Sequence, residues 1–268
     1  MFDCHVHSSF SGDSNMSAAE ACERAIELGL EGLAFTDHLD YDFPEYEEDF
    51  LIDFEKYSLF MDRLKESYSE KLKVIKGLEA GVQPHVIEKT AEVIKKYDFD
   101  FVIGSVHLIK GQDPYNKQFY TDLTRFEAYK GYLEEIELMT RNFNEFDVLA
   151  HFDYITRYNY YEDRTLRYKE HKDLIDSIFT TIIYKGKGIE LNTGSFRYTR
   201  NNSTYELDLE ILRRYRELGG EIICLGSDAH SLNTIGFQFD YFKNILRETG
   251  FKYFTHFENR KPVFSPID

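Results

Sequence analysis

Short apolar runs with β-strand character alternate with amphipathic helical patterns along this 268-residue chain. Strands are predicted at 2–7, 32–37, 73–79, 100–106, 147–151, 188–193 and 222–227, with an eighth candidate at 252–257. Helices are predicted between them, near 17–28, 53–70, 85–97, 122–143, 170–185, 205–218 and 238–249. Seven or eight strand-helix units in series are typical of a parallel sheet closed into a barrel, with an open doubly wound sheet as the alternative.

Residues of metal-binding type follow nearly every predicted strand at its C-terminal end. They are His5, His7, His38, Glu79, His107, His151, Asn192, Asp228 and His230. The C-terminal ends of all strands of a barrel meet at one face, and active sites lie there. An open sheet would instead concentrate such residues around one switch point. The distribution therefore favours a barrel. No Pro-, Gly- or Ser-rich linker interrupts the chain, which predicts one domain over residues 1–268.

The spacing of these residues indicates a metal site. His5 and His7 are two apart on a predicted strand, so both side chains leave the same face and can share one ion. Asp228 and His230 repeat this spacing in the segment G-S-D-A-H. An isolated H-x-H is as often accidental as functional, but the motifs T-D-H and G-S-V-H also end apolar runs. Taken together, the four clusters predict a metal centre.

The order H-x-H, T-D-H, G-L-E, G-S-V-H, A-H and S-D-A-H resembles the PHP family, named for polymerase and histidinol phosphatase. The resemblance spans almost the whole chain. It implies an α/β fold, a distorted TIM-like (β/α)7 barrel, with a trinuclear metal centre. It further implies that His5, His7, Glu79 and Asp228 hold one ion, that Glu79, His107 and His151 hold a second, and that Asp13, His38 and His230 hold the third.

The metal identity stays open at this point. Asp13 stands where some relatives carry a histidine, and a carboxylate suits a hard or borderline ion equally well. Three divalent ions of zinc, manganese or iron are all compatible with mixed imidazole and carboxylate ligands.

The charge of such a centre predicts the reaction. Nine ligands that include three carboxylates would leave three divalent ions at about +3, which favours an anionic substrate. A phosphate monoester fits, because the metals can polarise its oxygens while a metal-bound hydroxide attacks phosphorus. Arg157 and Arg197, a few residues past predicted strand ends, are the candidates for binding the outer phosphate oxygens, with Lys110 as a third.

Several segments resemble the histidinol phosphatase branch of the family: HSSFSGDS, TDHLDYDFP, LAHFDYITRY, LNTGSFR and SDAHSLNTIGFQF. This resemblance implies hydrolysis of histidinol phosphate in histidine biosynthesis. An acidic and tyrosine-rich rim would attract the ammonium and imidazole of that substrate. Its candidate contacts are Asp40, Asp42, Glu45, Glu162 and Asp163, although a solvated acidic loop is the commoner role of such residues.

The charge and composition of the chain favour a small-molecule substrate over nucleic acid or a membrane as its binding partner. A formal net charge of -16 repels nucleic acid over most of the surface. No apolar run is long enough for a membrane span, and the N-terminus lacks the pattern of a signal peptide. Cys4, Cys22 and Cys224 are too few and too scattered for a disulfide framework. These features predict a cytoplasmic enzyme.

Some polar residues keep two possible roles. Glu190 and Asn192 could contact substrate or the metal-binding histidines, or could hydrogen-bond within the barrel wall. Cys224 shares the strand parity of Asp228 and is expected to fill space inside the barrel below the metals. His85, His171 and His256 fall outside the pattern.

Three other functions compete with the phosphatase. An amidohydrolase also uses H-x-H on a barrel strand, but two metals would suffice there, and Glu79 with the Asp13, His38 and His230 group argues against it. A nuclease or nucleotide phosphatase of the same family is the second. A degenerate metal-binding domain is the third, although this sequence retains all nine ligands.

Overall fold

The computed structural model describes residues 1–44, 50–197 and 203–267. Ten strands lie within these ranges: β1 (Phe2–Val6), β2 (Gly32–Phe35), β3 (His38–Asp40), β4 (Lys73–Gly81), β5 (Phe101–Ser105), β6 (Val148–Leu149), β7 (Gly188–Asn192), β8 (Ile223–Gly226), β9 (Tyr253–Glu258) and β10 (Lys261–Pro266). The same ranges contain the helices α1 (Ala18–Glu27), α2 (Phe54–Tyr68), α3 (Ile87–Lys96), α4 (Arg125–Asn142), α5 (Lys172–Tyr184), α6 (Leu209–Glu217) and α7 (Phe239–Glu248). In the part of the chain so described, we find no helix with the length and apolar character needed to cross a membrane.

Seven parallel strands form the barrel, in the order β1-β2-β4-β5-β6-β7-β8. The short strand β3 follows β2 and also pairs with β4. Hydrogen bonds across the seam bring the last strand back to the first: the Asp228 N–H donates to the His5 carbonyl at 2.8 Å, and the His7 N–H donates to the Ala229 carbonyl at 2.9 Å. The predicted α/β barrel of seven strands is therefore confirmed, and it is nearly closed.

The predicted helices are present, each beginning and ending within a few residues of the expected position. The first shows why the sequence folds in this way. The Ser17 side chain accepts a hydrogen bond from the Glu20 N–H and caps α1. Ala21 and Ala25 are buried on one face of that helix, and the chain then leaves it at Gly29, whose φ of 70° favours glycine.

The interior of the barrel holds a small apolar cluster, separate from the main core between the barrel and its helices. Its members are Cys4, Ala34, Ile75, Phe101, Ile103, Val148, Ala150, Cys224 and Phe257. On β4, Ile75 has the same parity as Glu79, so both face inward, with Ile75 nearer the N-terminal end. Cys224 is fully buried in this cluster, as predicted.

The eighth predicted strand, at 252–257, exists but lies outside the barrel. It forms β9 of an antiparallel hairpin with β10, and the turn residues Asn259 and Arg260 both have positive φ, at 48° and 63°. The Arg260 N–H donates to the Asp100 carbonyl at 2.8 Å, just before β5, which places the hairpin at the N-terminal end of the barrel. The ring of Phe257 stacks on Phe101 with centroids 5.1 Å apart. The hairpin thus closes the end of the barrel opposite to the predicted site.

This arrangement predicts a large effect of Phe257→Ala on stability. Removing a ring that is 3% exposed leaves a cavity in the barrel, so the free energy of unfolding should fall by about 3–5 kcal/mol. Phe264→Ala is the matched control, because that ring lies on the same hairpin and is 44% exposed, and it should cost less than about 1 kcal/mol. Urea denaturation measures both changes, and equal losses for the two variants would contradict the closing role of Phe257.

Candidate metal centre

The nine residues predicted to bind metals converge at the C-terminal ends of the strands. They come from β1 and the loop after it (His5, His7, Asp13), from β3 and β4 (His38, Glu79), and from the segments after β5, β6 and β8 (His107, His151, Asp228, His230). A cavity of about 370 Å³ opens above them. The structure therefore brings together residues that lie as far apart in sequence as His5 and His230.

Glu79 lies at the centre of this group. Its Oε1 is 2.7 Å from His151 Nε2 and 3.1 Å from His107 Nε2. Its Oε2 is 3.2 Å from His5 Nε2 and 3.3 Å from His7 Nε2. Burial alone would raise the pKa of the Glu79 carboxyl, but the surrounding histidines hold it well below its usual range. Glu79 is thus a buried carboxylate whose two oxygens face ring nitrogens on opposite sides.

A second carboxylate, Asp13, lies at the outer edge of the cluster. Its Oδ2 is 3.0 Å from His230 Nε2 and 3.5 Å from His38 Nε2. Burial would raise the pKa of Asp13, but hydrogen bonds with His230 and His38 lower it well below its ordinary value. His7 lies directly beneath, with its ring 4.1 Å from that of His230. Burial and the nearby His230 and His38 lower the pKa of His7 to about 3, so its ring is neutral.

The ligand atoms fall into three overlapping groups, in each of which all atoms lie within 4.8 Å of one another. Among the described residues, these groups are His7, Asp13, His38 and His230; His5, His7 and Asp228; and His38, Glu79 and His107. The first contains the predicted third set with His7 added, and the second contains three of the four residues of the first set. The third contains two residues of the predicted second set, with His38 in the place of His151. His151 belongs to none of the groups, although its Nε2 lies 3.3 Å from His107 Nε2.

Hydrogen bonds behind the rings determine which nitrogen carries the proton. His5 Nδ1 lies 2.7 Å from Glu190 Oε1, and His107 Nδ1 lies 2.7 Å from Asp40 Oδ1. His230 Nδ1 lies 3.1 Å from the Asp228 carbonyl. Because these oxygens can only accept, each Nδ1 donates, and each ring in its neutral form then presents the lone pair of Nε2 to the cluster.

The donor set fits divalent cations. His5 Nε2 and His7 Nε2 are 3.0 Å apart, and the corresponding atoms of His107 and His151 are 3.3 Å apart. Lone pairs that face each other at such distances repel unless a cation lies between them. Two nitrogens that share a tetrahedral zinc ion at 2.0–2.1 Å are about 3.4 Å apart, which is close to the observed spacing.

The two predicted phosphate-binding arginines line the same cavity. Arg157 is buried, with Nη1 donating to Asp228 Oδ2 at 2.5 Å and Nη2 donating to Asn192 Oδ1 at 2.8 Å. Arg197 donates from Nη2 to the Asp228 carbonyl at 2.8 Å and from Nη1 to the Ser227 carbonyl. Lys110, the third candidate, is exposed and lines a different surface depression, so the structure does not bring it to the site.

The predicted acidic rim contacts have different surroundings. Asp40 lines the cavity, but it is buried and holds His107 instead of lying on a solvated loop. Asp42 Oδ2 pairs with His85 Nε2 at 2.8 Å. Asp163 pairs with Arg167, Glu162 is exposed, and Glu45 lies outside the described residues.

Glu190 and Asn192 are the two residues of β7 whose role the sequence left undecided, and the structure places Glu190 against two of the histidines. Its Oε1 accepts from His5 Nδ1, and its Oε2 accepts from the His151 N–H, each at 2.7 Å. Glu190 lies on β7 two residues before Asn192, so both side chains leave the same face of the strand. This spacing was the sequence feature that could have placed Glu190 inside the barrel. Asp37 lies in the T-D-H motif, and Ser11 is four residues from His7, but the contact between Asp37 and Ser11 joins segments 26 residues apart, so the sequence did not indicate that they act together.

Comparisons with known proteins agree with this geometry. A family model described as "PHP domain" matches residues 3–194. A protein of Clostridium acetobutylicum named "Probable histidinol-phosphatase" is 34% identical over 264 residues, which is 98% of this chain and 96% of that protein. The "Histidinol-phosphatase" of Lactococcus lactis is 30% identical over 260 residues, which is 97% of this chain and 95% of that protein.

A solved structure also matches over the whole length. It is the crystal structure of histidinol phosphate phosphatase from Lactococcus lactis, complexed with zinc, L-histidinol and phosphate. It superposes with a TM-score of 0.86 at 28% sequence identity and covers 98% of each chain.

Proposed function

This chain belongs to the PHP domain family, and we propose that it is a histidinol-phosphate phosphatase, which hydrolyses L-histidinol phosphate to L-histidinol and phosphate. The observation that carries this proposal is the cluster of nine imidazole and carboxylate side chains at one end of a seven-stranded barrel, in a chain that aligns over nearly its full length with histidinol phosphatases. The same alignment supports the treatment of residues 1–268 as one catalytic domain. Histidine biosynthesis in the cytoplasm is the corresponding role.

The proposed metal centre holds three divalent ions of zinc, manganese or iron. His5, His7, Glu79 and Asp228 would hold the first, Glu79, His107 and His151 the second, and Asp13, His38 and His230 the third. When bound, such ions polarise phosphoryl oxygens and make water a nucleophile toward phosphorus at neutral pH. Glu79 Oε1 lies beside His151 and Oε2 lies beside His5, so this one carboxylate would help to hold both the first and the second ion.

The chain's own side chains bind the substrate at both ends. Arg157 and Arg197 reach the cavity beside Asp228, where their guanidinium groups can bind the outer phosphate oxygens. Elsewhere the cavity is lined by four aromatic rings: Phe43, Phe50, Tyr154 and Tyr158. Ring faces suit the imidazole and ammonium of histidinol, and the buried carboxylate of Asp40 adds negative charge nearby.

The phosphate-binding role predicts the effect of Arg197→Met. Loss of charge-assisted hydrogen bonds of about 1.5–3 kcal/mol should lower kcat/KM for histidinol phosphate by about 10- to 100-fold. Inhibition by inorganic phosphate should weaken by a similar factor. Arg141→Met, at an exposed arginine paired with Glu137, is the control and should change neither value. Unchanged phosphate inhibition in the Arg197 variant would contradict the assignment.

Hydrolysis in ¹⁸O-labelled water tests the proposed reaction. Metal-replete protein should release phosphate that carries one ¹⁸O atom and histidinol that carries none, because water attacks phosphorus and the P–O bond of the ester breaks. Mass spectrometry of both products measures this. Label in the histidinol would contradict attack at phosphorus, and no phosphate release with zinc, manganese or iron would contradict the proposed function.

A further inference from the structure

Two buried residues that are not among the proposed metal ligands lie behind His7. Ser11 Oγ is 3.1 Å from His7 Nδ1 and 2.8 Å from Asp37 Oδ1. The same oxygen is 3.2 Å from the backbone nitrogen of His38. Asp37 is 0% exposed and Ser11 is 1% exposed, so neither has solvent as an alternative partner. The hydroxyl of Ser11 therefore has three neighbours but only one hydrogen to share among them.

The allowed directions of these hydrogen bonds follow from the chemistry of the partners. The His38 backbone N–H can only donate, so Ser11 Oγ accepts there. Asp37 Oδ1 accepts from the Ser8 N–H at 2.7 Å and from the Ser11 N–H at 3.2 Å, which favours the ionised carboxylate. An ionised carboxylate can only accept, so the Ser11 hydroxyl donates its hydrogen to this oxygen. The remaining lone pair of Ser11 Oγ must accept from His7 Nδ1. The proton of His7 consequently lies on Nδ1, and its Nε2 presents a lone pair.

These hydrogen bonds matter for metal binding because His7 lies in the middle of the candidate metal centre. His7 Nε2 lies 3.3 Å from both Glu79 Oε2 and Asp228 Oδ1. His7 is also a member of two of the three ligand groups, one with His5 and Asp228 and the other with the Asp13 cluster. A change in the tautomer or angle of this one ring would therefore affect two adjacent ion sites.

We propose that Asp37 and Ser11 are positioning residues of the metal centre, which act as a relay that keeps the proton of His7 on Nδ1 and directs its Nε2 toward Glu79 and Asp228, with which it would hold the first ion. Asp37 also accepts from the Ser8 hydroxyl at 2.9 Å, through its other oxygen. This inference rests on the proposed metal centre, although not on the identity of the substrate. Its tests measure metal and proton positions without histidinol phosphate, so a wrong substrate would leave their outcomes unchanged.

Ser11→Ala and Ser8→Ala form a matched pair of variants. Both serines are buried and both hydroxyls donate to Asp37, but only Ser11 is hydrogen-bonded to a histidine ring. Zinc retention against a competing chelator should weaken by about 10- to 100-fold in Ser11→Ala. In Ser8→Ala it should change by less than about threefold, and Ser11→Thr, which keeps a hydroxyl, should recover most of the retention. Equal zinc retention in folded Ser11→Ala and the unmodified protein would overturn the proposal.

The unmodified protein provides a test that needs no variant to fold. In zinc-loaded protein with ¹⁵N-labelled histidine, long-range ¹H–¹⁵N spectra distinguish a protonated Nδ1 from a protonated Nε2. The expected result for His7 is a proton on Nδ1 and a metal-bound Nε2. A His7 ring with its proton on Nε2, or with zinc bound through Nδ1, would overturn the proposal.

Discussion

Replacing Glu79 by glutamine is expected to reduce kcat/KM for histidinol phosphate by at least about 10³-fold, or about 4 kcal/mol of transition-state stabilisation. Glu79 is 1% exposed, and its two oxygens face five histidines between them at 2.7–3.3 Å. Glutamine has the same shape as glutamate but carries no charge. Its amide also places an NH₂ group where a carboxylate oxygen would bind a metal ion. We therefore expect the bound metal to fall by at least one ion per chain, measured by elemental analysis.

Asp147→Asn separates this effect from the general cost of changing a buried carboxylate. Asp147 is 4% exposed, accepts from the Val102 N–H at 2.8 Å and pairs with Arg260, at the end of the barrel away from the ligands. Its variant should lose stability but keep its metals and most of its kcat/KM. A Glu79→Gln protein that retained both full metal content and full activity would contradict the proposed role of Glu79.

Removal of the metals should abolish phosphate release and also lower the stability of the fold. Without cations, His5 Nε2 and His7 Nε2 face each other at 3.0 Å in a buried site, and Glu79 lies between further ring nitrogens. Zinc or manganese at about 1,000 times its Kd should stabilise the native state by about 4 kcal/mol. The thermal midpoint should consequently rise by about 8–16 °C when metal is restored to chelator-treated protein.

The measurement is phosphate release and thermal unfolding before chelation, after chelation and after metal is added back. Zinc, manganese or iron should restore activity and Tm together if the ion binds at the ligand cluster. Activity that survives complete metal removal, confirmed by elemental analysis, would contradict metal-dependent hydrolysis. Calcium, which prefers oxygen ligands, serves as the control ion and should restore little of either property.

The fold was predictable because its repeating pattern is local. Each strand-helix unit shows its own apolar periodicity, and the seven parallel strands all appear within a few residues of their predicted positions. The ligand positions were predictable for a related reason, since the C-terminal ends of parallel strands must meet at one face of a barrel. H-x-H spacing then indicated the side chains that share a face, as with His5 and His7, whose Nε2 atoms are 3.0 Å apart.

The residues that orient these ligands could not be predicted in the same way. Glu190 reaches His5 across the barrel, and Asp40 reaches His107 after 67 residues, so no local spacing reveals either pair. The acid-rich segment around Asp40 favoured an exposed rim, but the side chain is buried against Gly81, where a Cβ atom would lie 1.7 Å from Asp40 Oδ1. Only the register of β3 against β4 determines that contact.

The closing hairpin has a similar explanation. Residues 252–257 alternate as a strand should, but a strand pattern does not specify its partner. The positive φ values of Asn259 and Arg260 reverse the chain, and β10 then pairs with β9 instead of joining the barrel. A tight turn without glycine is hard to recognise in a sequence. The pairing of this strand with β10 outside the barrel was therefore visible only in the structure.

The substrate preference tests the proposed histidinol-phosphate phosphatase activity most directly. Metal-replete protein should be assayed for phosphate release from histidinol phosphate, AMP, 3′-phosphoadenosine, an aryl phosphate and a short oligonucleotide under identical conditions. We expect kcat/KM for histidinol phosphate to exceed the other values by at least about 100-fold, since only this substrate offers both a phosphate for the metal cluster and cationic groups for the aromatic wall. Comparable slow turnover of all the monoesters, or faster cleavage of the oligonucleotide, would contradict the assignment.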